Sequence, residues 1–209
     1  MVNYFVHLPI ICQLKSLHVK HPIIISDQFF DSIKYNELGL ACGEYDHCTY
    51  SGCIFSQVDL TYSIFTSCRF ENCDLSNAKI DGTAFRQVVF KDCKMLGLRF
   101  DLCNVFLLSF AFDHCILNFS SFYQLKIKNT HFRNCMLQEV DFSECDLTKS
   151  SFADSDLSGA VFDSTNLEQS DFSTAIHFSI IPEKNRIQKA RFSKQNMEGL
   201  LGHYKIIIE

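Results

Sequence analysis

The 209-residue chain contains no Trp and only 3 Pro, and it has no excess of basic residues. Its net charge of −5 is unlike that of proteins that bind nucleic acid directly. The uncharged stretch Met1–Leu14 is shorter than the about 20 apolar residues that cross a bilayer, and it lacks the basic segment of a signal peptide. We therefore expect one cytoplasmic domain that neither enters a membrane nor binds DNA directly.

Catalytic and metal-binding motifs are also missing. The 11 cysteines include no CxxC pair, and the 8 histidines share no spacing. No Ser-His-Asp set, glycine-rich phosphate loop or pair of catalytic carboxylates is evident. The sequence thus predicts a non-enzymatic protein without cofactor, metal or small-molecule substrate.

What the chain does have is a period of five. Starting at Phe30, every fifth residue is large and apolar or aromatic, up to Val105; the phase then slips by two residues and resumes from Phe112 to Phe172. Two residues before each of these central residues stands a compact side chain, and nine of the cysteines occupy this position together with Ser, Thr and Ala. We interpret these cysteines as small core residues with reduced thiols.

A period of five fits neither an α-helix nor a flat strand. If each pentapeptide forms one side of a square, four sides make a coil of twenty residues, and coils stacked about 4.8 Å apart can pair their backbones. Leu137 then lies over Leu117 and Phe142 over Phe122, so that Leu and Phe columns alternate. The prediction is a right-handed quadrilateral parallel β-helix, an all-β solenoid of about seven coils with a short C-terminal helix.

The pattern resembles the pentapeptide repeat family, with consensus A(D/N)LXX. Clear instances begin at Cys73 (CDLSN), Cys145 (CDLTK), Ser155 (SDLSG) and Ser170 (SDFST). The tail PEKNRI, ARFS and GLL looks like that of the quinolone-resistance and microcin-immunity members. That resemblance implies a tail-to-tail homodimer that mimics DNA and binds a type II topoisomerase, DNA gyrase or topoisomerase IV, either modulating it or protecting it from quinolone-like poisons.

We divide the chain into an N-terminal cap (residues 1–29), the repeat (30–176) with a bulge at 106–112, and a C-terminal linker, helix and strand-like tail (177–209). In the bulge, Phe106, Leu107 and Leu108 are a candidate recognition element; the alternative is that one Phe packs on the outer face. Ser193 is a candidate helix N-cap and Gly202 a candidate stop. The candidate dimer interface comprises Met197, Leu200, Leu201, Tyr204, Ile206 and Ile208. Capping of the last coil is an alternative role for the same residues.

Acidic residues are concentrated late in the repeat. Residues 137–176 carry nine acids against Lys149 alone. We interpret them as a DNA-mimicking belt around all four sides, called the acidic belt below: Glu139, Asp141, Glu144, Asp146, Asp154, Asp156, Asp163, Glu168 and Asp171. The alternative function is a scaffold solenoid whose protein partner is unrelated to DNA, since Asp before the central residue also belongs to the repeat consensus.

Overall fold

The structure, a computed structural model, describes residues 23–206. It contains twelve short strands, β1 to β12 in chain order: Ile23–Ser26, Phe29–Asp31, Gly43–Asp46, Thr49–Ser51, Ile64–Thr66, Arg69–Glu71, Ala84–Arg86, Val88–Lys91, Phe110–Asp113, Phe132–Arg133, Asp171–Phe172 and Arg191–Phe192. The helices α1 (Tyr35–Leu38) and α2 (Glu198–Leu201) are single turns. Four 3-10 turns lie at Phe100–Leu102, Pro182–Lys184, Lys194–Asn196 and Gly202–Tyr204.

All strand pairs are parallel and join residues one coil apart. Ile23 pairs with Gly43, and Phe132 pairs with Phe112. Between the strands, isolated parallel bridges keep the same offset of twenty residues, as for Asp141 with Val161, except across the slip, where Lys94 bridges Ile116 and Arg99 bridges Ser121. The molecule is therefore the predicted parallel β-solenoid, with about 8 turns instead of about seven.

The central residues form four columns inside the solenoid, one on each side. Those of side 1 are Phe30, Tyr50, Phe70, Phe90, Phe112, Phe132, Phe152, Phe172 and Phe192, and those of side 2 are Tyr35, Phe55, Leu75, Met95, Leu117, Leu137 and Leu157. Those of side 3 are Leu40, Leu60, Ile80, Phe100, Phe122, Phe142 and Phe162, and those of side 4 are Ile25, Tyr45, Phe65, Phe85, Ile127, Leu147, Leu167 and Ile187.

Aromatic stacking is most regular on side 1. Its nine rings form an unbroken stack with centroids 4.6 to 5.4 Å apart and planes within 21° of parallel. Each offset-stacked pair stabilises a protein by about 0.5–1.5 kcal/mol beyond the burial of its area. The stacking also favours one register, because a shift of one residue would turn the rings outward.

The corners of the square depend on left-handed backbone. The residue two places after most central residues has a positive φ, for example Asn72 at 53° and Asn134 at 50°. Asn and Gly tolerate this conformation best, while other residues pay about 1–2 kcal/mol. Three corners nevertheless carry large apolar side chains exposed to solvent, namely Tyr62, Leu107 and Phe119.

The two extra residues of the slip lie slightly earlier in the chain than the expected segment 106–112. Side 1 continues across it, with Val88 paired to Phe110 and the ring of Phe112 stacked 5.4 Å from that of Phe90. Val105, which the period of five places in the core, is instead exposed. The compact position two residues before Phe112 holds the buried Phe110, whose ring contacts Phe112 and Phe100 at centroid distances of 5.0 and 5.4 Å. We infer that Phe110 fills core volume that Val105 leaves.

The parallel ladder extends to both sides of residues 30–176. Strand β1 (Ile23–Ser26) belongs to the segment assigned to the N-terminal cap, and it pairs with β3 of the repeat. Residues 1–22 of the cap segment lie outside the described part. At the other end, Asn166 bridges Arg186 and β11 pairs with β12, so the ring of Phe192 stacks on that of Phe172. The residues after Pro182 thus complete a further coil.

Two buried tyrosines provide a matched test of packing in the aromatic columns. The Tyr45 hydroxyl donates a hydrogen bond to the Ala41 carbonyl oxygen at 2.6 Å, whereas the buried Tyr50 hydroxyl has no partner. We expect Tyr50→Phe to raise the free energy of unfolding by about 1 kcal/mol and Tyr45→Phe to lower it by about 1 kcal/mol, because only the second loses a bond. Urea denaturation of both variants measures this difference; shifts of the same sign would contradict it.

Candidate protein-interaction surface

The compact inner position does more than fill space. Its thiols and hydroxyls donate hydrogen bonds to the carbonyl oxygen of the central residue one coil earlier, as for Cys73 to Tyr50 (3.4 Å) and Thr165 to Phe142 (2.8 Å). Ser170 donates in the same way to Leu147 at 2.7 Å. Cys, Ser and Thr are therefore interchangeable donors here, a function that their shared register could have indicated.

The cysteines of this row are buried in the core of the solenoid. Nine of the ten described cysteines are buried free thiols, and only Cys42 is exposed. Burial raises the pKa of the Cys145 thiol to about 12, which keeps it protonated and able to donate. Within residues 23–206, no group of three or more His, Cys, Asp or Glu side chains could hold a metal ion.

Part of the acidic belt closes the repeat's own turns. One carboxylate oxygen of Asp141, Asp146, Asp156 or Asp171 accepts a hydrogen bond from the backbone N–H two residues later, at 2.9 to 3.2 Å. The Asn166 side-chain oxygen accepts the equivalent hydrogen bond from the Glu168 backbone N–H at 3.1 Å. This is why Asp and Asn recur immediately before the central residue.

Bases from neighbouring coils pair with five acids of the belt. The pairs are Lys128 with Asp146 (3.0 Å), His177 with Asp156 (2.9 Å), Lys184 with Asp163 (4.0 Å), Arg186 with Glu168 (2.6 Å) and Arg191 with Asp171 (3.3 Å). The bases lie 18 to 21 residues away in sequence, so a count over residues 137–176 cannot include them. In the described part of the chain, Glu139, Asp141, Glu144 and Asp154 form no ion pair.

The nine acids occupy all four sides, but the acidic excess of the whole solenoid is concentrated on side 3. That side and its following corner carry seven acids against three bases, whereas side 4 with its corner carries five acids against six bases. The acids of side 3 are Asp59, Asp81, Asp101, Asp141, Glu144, Asp163 and Glu183. Its bases are Lys79, Arg99 and Lys184, and Arg99 makes two hydrogen bonds to Asp101 at 2.9 and 2.5 Å. Charge is thus distributed unequally around the square.

The candidate recognition bulge projects from side 4. Phe106 and Leu107 are about two-thirds exposed, and Leu108 is partly buried against the core. The Arg86 guanidinium carbon lies 5.6 Å from the centroid of the Phe106 ring. The exposed Phe106 ring thus lies beside the Arg86 side chain.

The C-terminal segment lies across the end of the last coils. The backbone N–H of Ile180 donates to the Gly199 carbonyl at 2.8 Å, and the Asn196 amide donates to the Ala175 carbonyl at 2.6 Å. A Cβ on Gly199 would lie 2.4 Å from the Phe178 carbonyl oxygen, so glycine permits this close approach. The segment therefore covers backbone at the end of the ladder.

The helix ends differ from the expected caps. Ser193 precedes the 3-10 turn Lys194–Asn196, but its buried hydroxyl makes no capping hydrogen bond. The backbone of Gly202 has the right-handed helical conformation, so the chain continues into another 3-10 turn. Lys205, after that turn, has the left-handed conformation. The predicted short C-terminal helix is thus present as successive helical turns between Lys194 and Tyr204, which run past the expected stop at Gly202.

The candidate dimer residues divide into two groups. Met197, Tyr204 and Ile206 are about half exposed, whereas Leu200 and Leu201 are partly buried, Leu200 against the core. The Tyr204 hydroxyl hydrogen-bonds the Glu183 carboxylate. Ile208 lies outside the described residues.

Family models match most of the regular part of the chain. A pentapeptide repeat region model covers residues 104–172, and a model of eight pentapeptide repeats covers residues 53–92 and 68–105. The chain belongs to the pentapeptide repeat family. No curated protein sequence is significantly similar to it.

Solved structures of QnrB1, a plasmid-mediated fluoroquinolone resistance protein, resemble this pentapeptide repeat protein in fold. The full-length structure is 15% identical with a TM-score of 0.53, covering 88% of this chain and 100% of that one. One trypsin-treated variant is 14% identical with a TM-score of 0.60, covering 90% of this chain and 92% of that one. A second trypsin-treated variant is 12% identical with a TM-score of 0.57, covering 90% of this chain and 98% of that one. In the described residues of this pentapeptide repeat protein, no helix has the length and apolar character needed to cross a bilayer.

Asp156 is the belt acid with the clearest electrostatic role in stability. Partial burial raises its pKa, but hydrogen bonds from Ser158, His177 and Gln138 outweigh that effect and lower the pKa to about 2. A carboxyl whose pKa is lower in the folded state stabilises the protein above its ordinary pKa, and this contribution is lost as the pH falls from about 4 to 2. The contribution is at most about 2 kcal/mol, because the side chain is partly exposed.

We therefore expect Asp156→Asn to flatten the loss of stability between pH 4 and 2, while the amide oxygen still accepts the Ser158 N–H. Thermal melting at several pH values measures the slope. Asp154→Asn, an exposed neighbour with the same change of charge, is the control and should keep the wild-type slope. An unchanged slope in Asp156→Asn would contradict the expectation.

Proposed function

We propose that this pentapeptide repeat protein is a non-enzymatic DNA mimic that binds a type II topoisomerase, DNA gyrase or topoisomerase IV, and modulates it or protects it from quinolone-like poisons. The observation that supports this most is the acidic excess of side 3, which presents carboxylates on three successive coils (Asp59, Asp81 and Asp101) and again on the three coils from Asp141 to Glu183. A row of carboxylates of this kind suits a basic groove that normally holds the phosphates of a duplex.

The dimensions fit such a groove. About 8 turns at about 4.8 Å give a solenoid of about 40 Å. A tail-to-tail dimer would be about twice as long, comparable to a little over 20 base pairs at 3.4 Å each. The likeness in fold to QnrB1, described as a plasmid-mediated fluoroquinolone resistance protein, supports the part of the proposal that concerns quinolone-like poisons.

A second candidate is a scaffold solenoid with a partner unrelated to DNA. The observation in its favour is that five of the nine belt acids pair with bases and four support turns of the repeat. Carboxylates used in these ways contribute less to the outward field. The acids that distinguish the two functions are therefore Asp141, Glu144 and Asp163 of side 3, of which only Asp163 meets a base, at 4.0 Å.

The combined variant Asp141→Asn, Glu144→Lys and Asp163→Lys tests the DNA-mimic proposal. Asn at 141 keeps the oxygen that accepts the Ser143 N–H, so the fold should be retained. In gyrase supercoiling assays with and without a fluoroquinolone, we expect the effect of the wild-type protein to need at least about tenfold more of the variant, because complementary charge is lost.

The matched control is Asp27→Asn, Asp31→Lys and Asp92→Lys, which changes net charge equally at exposed positions outside side 3. It should behave like the wild type at about 0.15 M salt, where the Debye length is about 8 Å. Equal losses in both variants would indicate a net-charge effect without a docking side. Wild-type protein without effect at micromolar concentration would refute topoisomerase binding.

Self-association through the C-terminal segment is part of the proposal. Met197, Tyr204 and Ile206 present exposed apolar surface at the end of the solenoid, and a two-fold contact would bury it. Light scattering at micromolar concentration should give twice the chain mass of 24.1 kDa for the wild type and 24.1 kDa for Met197→Ser with Ile206→Ser. Ile24→Ser, an exposed residue at the opposite end, should remain dimeric, and a monomeric wild type would disprove the dimer.

A further inference from the structure

Exposed apolar side chains form one surface at the corner between sides 3 and 4. We call it the corner ridge, and it consists of Tyr62, Leu102, Val105, Phe106 and Leu107. Each of these side chains is more than two-fifths exposed, and four of them are about two-thirds exposed or more. Single exposed apolar residues are ordinary, whereas a contiguous group is a surface that another segment or molecule can cover.

Contiguity follows from the coil register. The Gly82 N–H donates to the Leu102 carbonyl at 2.8 Å, and the Tyr62 N–H donates to the Asp81 carbonyl at 3.1 Å, so these corners lie directly above one another. A Cβ on Gly82 would be 2.6 Å from the Tyr62 ring, which shows that this ring lies over Gly82. Tyr62 therefore extends toward Leu102, and the chain itself joins Leu102 to the loop.

Stability of the solenoid does not explain the side chains of the ridge. Tyr62 and Leu107 have φ values of 59°, a conformation that is unfavourable for a residue with a side chain. Their exposure means that burial against the described residues recovers little of this cost. A segment lying over the ridge would bury these side chains and account for their presence.

The 22 residues before Ile23 lie outside the described part, and their sequence is suited to covering an apolar surface. Eight of the eleven residues from Tyr4 to Leu14 are apolar or aromatic, and residues 1–22 contain no Asp or Glu. The only Lys or Arg side chains among them are Lys15 and Lys20. Such a stretch gains free energy when its apolar side chains leave water.

This segment is not suited to extending the solenoid by a further coil. The positions twenty residues before the central residues Tyr35 and Leu40 hold Lys15 and Lys20. A further coil in register would therefore place two ammonium groups in the core, and burial of unpaired charge is strongly unfavourable. The apolar stretch before Lys15 can be reached only through these two positions, so it is left to bind an outer surface.

The segment joins the solenoid at the corner that carries the ridge. Ile23 pairs with Gly43, the residue after Cys42, and Cys42 stands twenty residues before Tyr62 in the same corner column. Leu102 is three coils from Cys42, about 14 Å at about 4.8 Å per coil. The residues from Lys15 to the start of β1 span up to about 26 Å when extended, at about 3.3 Å each. Residues 4–14 can therefore lie over the ridge.

Apolar burial, and not charge, is the interaction that would hold the segment there. Arg86 lies against the Phe106 ring, and Arg99 is hydrogen-bonded to Asp101, so the charges beside the loop are balanced. The loop itself is fixed, because the Asn104 side-chain oxygen accepts a hydrogen bond from the Phe106 N–H at 2.9 Å. A fixed apolar surface loses little conformational entropy when it is covered.

We propose that residues 4–14 of this chain dock on its own corner ridge, with Phe106 and Leu107 as the main contacts. The inference goes beyond the proposed function and does not depend on it, because both surfaces belong to one chain. A ridge covered in this way is withheld from other proteins until the segment is displaced.

Alkylation of Cys12, which lies within the apolar stretch, tests the docking in the full-length protein. A covered thiol reacts only when its segment opens, so we expect Cys12 of the native wild type to react at least about tenfold more slowly than in the urea-unfolded chain. In Phe106→Ser with Leu107→Asn this protection should be lost. Asn suits the left-handed backbone at 107, so the fold should be retained. Mass spectrometry after iodoacetamide treatment measures the rate, and buried thiols such as Cys93 should stay unlabelled while the fold is intact.

The matched control is Ile24→Ser with Phe29→Ser, which removes two exposed apolar side chains at the first coil and should keep the wild-type protection. Protection kept in the ridge variant, or lost equally in both variants, would overturn the inference. So would native wild type in which Cys12 reacts as fast as in urea. Protection that disappears on dilution would show that the segment covers a second copy, which also contradicts docking within one chain. The gyrase assays decide the proposed function separately, since no outcome of the alkylation bears on it.

Discussion

In-register stacking of twenty-residue coils is the constraint on which the rest of this structure depends. Parallel backbone hydrogen bonds join each coil to the next, so every side chain lies over its equivalent one coil earlier. The nine-ring stack of side 1 and the inner row of thiol and hydroxyl donors both result from that repetition. Because neighbours in space are twenty residues apart in sequence, local composition is a poor guide to what a residue meets.

Charge shows this most clearly. Residues 137–176 contain one base in sequence, yet Lys128, Lys184, Arg186 and Arg191 meet the belt acids from the coils before and after. What remains is an unequal distribution around the square, with side 3 acidic and side 4 close to balanced. A basic partner would therefore be attracted to one side of the solenoid and not to a uniform belt. The unequal charge would fix the orientation in which the two proteins meet.

Regular packing also makes the irregular positions informative. Stacked rings fill the solenoid core, so side chains that leave this pattern stand out on the surface. The slip at Val105, the aromatic corner at Tyr62 and the C-terminal segment are the places where apolar side chains leave the core pattern. The first two lie on side 4 and at the corner after side 3, and the third lies at the end of the solenoid.

The sequence alone determined the solenoid, because a five-residue period sustained from Phe30 to Phe172 has few geometric solutions, and it placed Phe90 and Phe112 in one column across the slip. It could not determine that Val105 turns outward while Phe110 turns in, since both fit an apolar pattern and only packing between coils selects one. The ion pairs of Glu168 and Asp171 were likewise decided by stacking, which brings Arg186 and Arg191 beside them. The path of the C-terminal segment also emerged only in the tertiary structure, where Gly199 lies closer to the Phe178 carbonyl oxygen than a residue with a Cβ could.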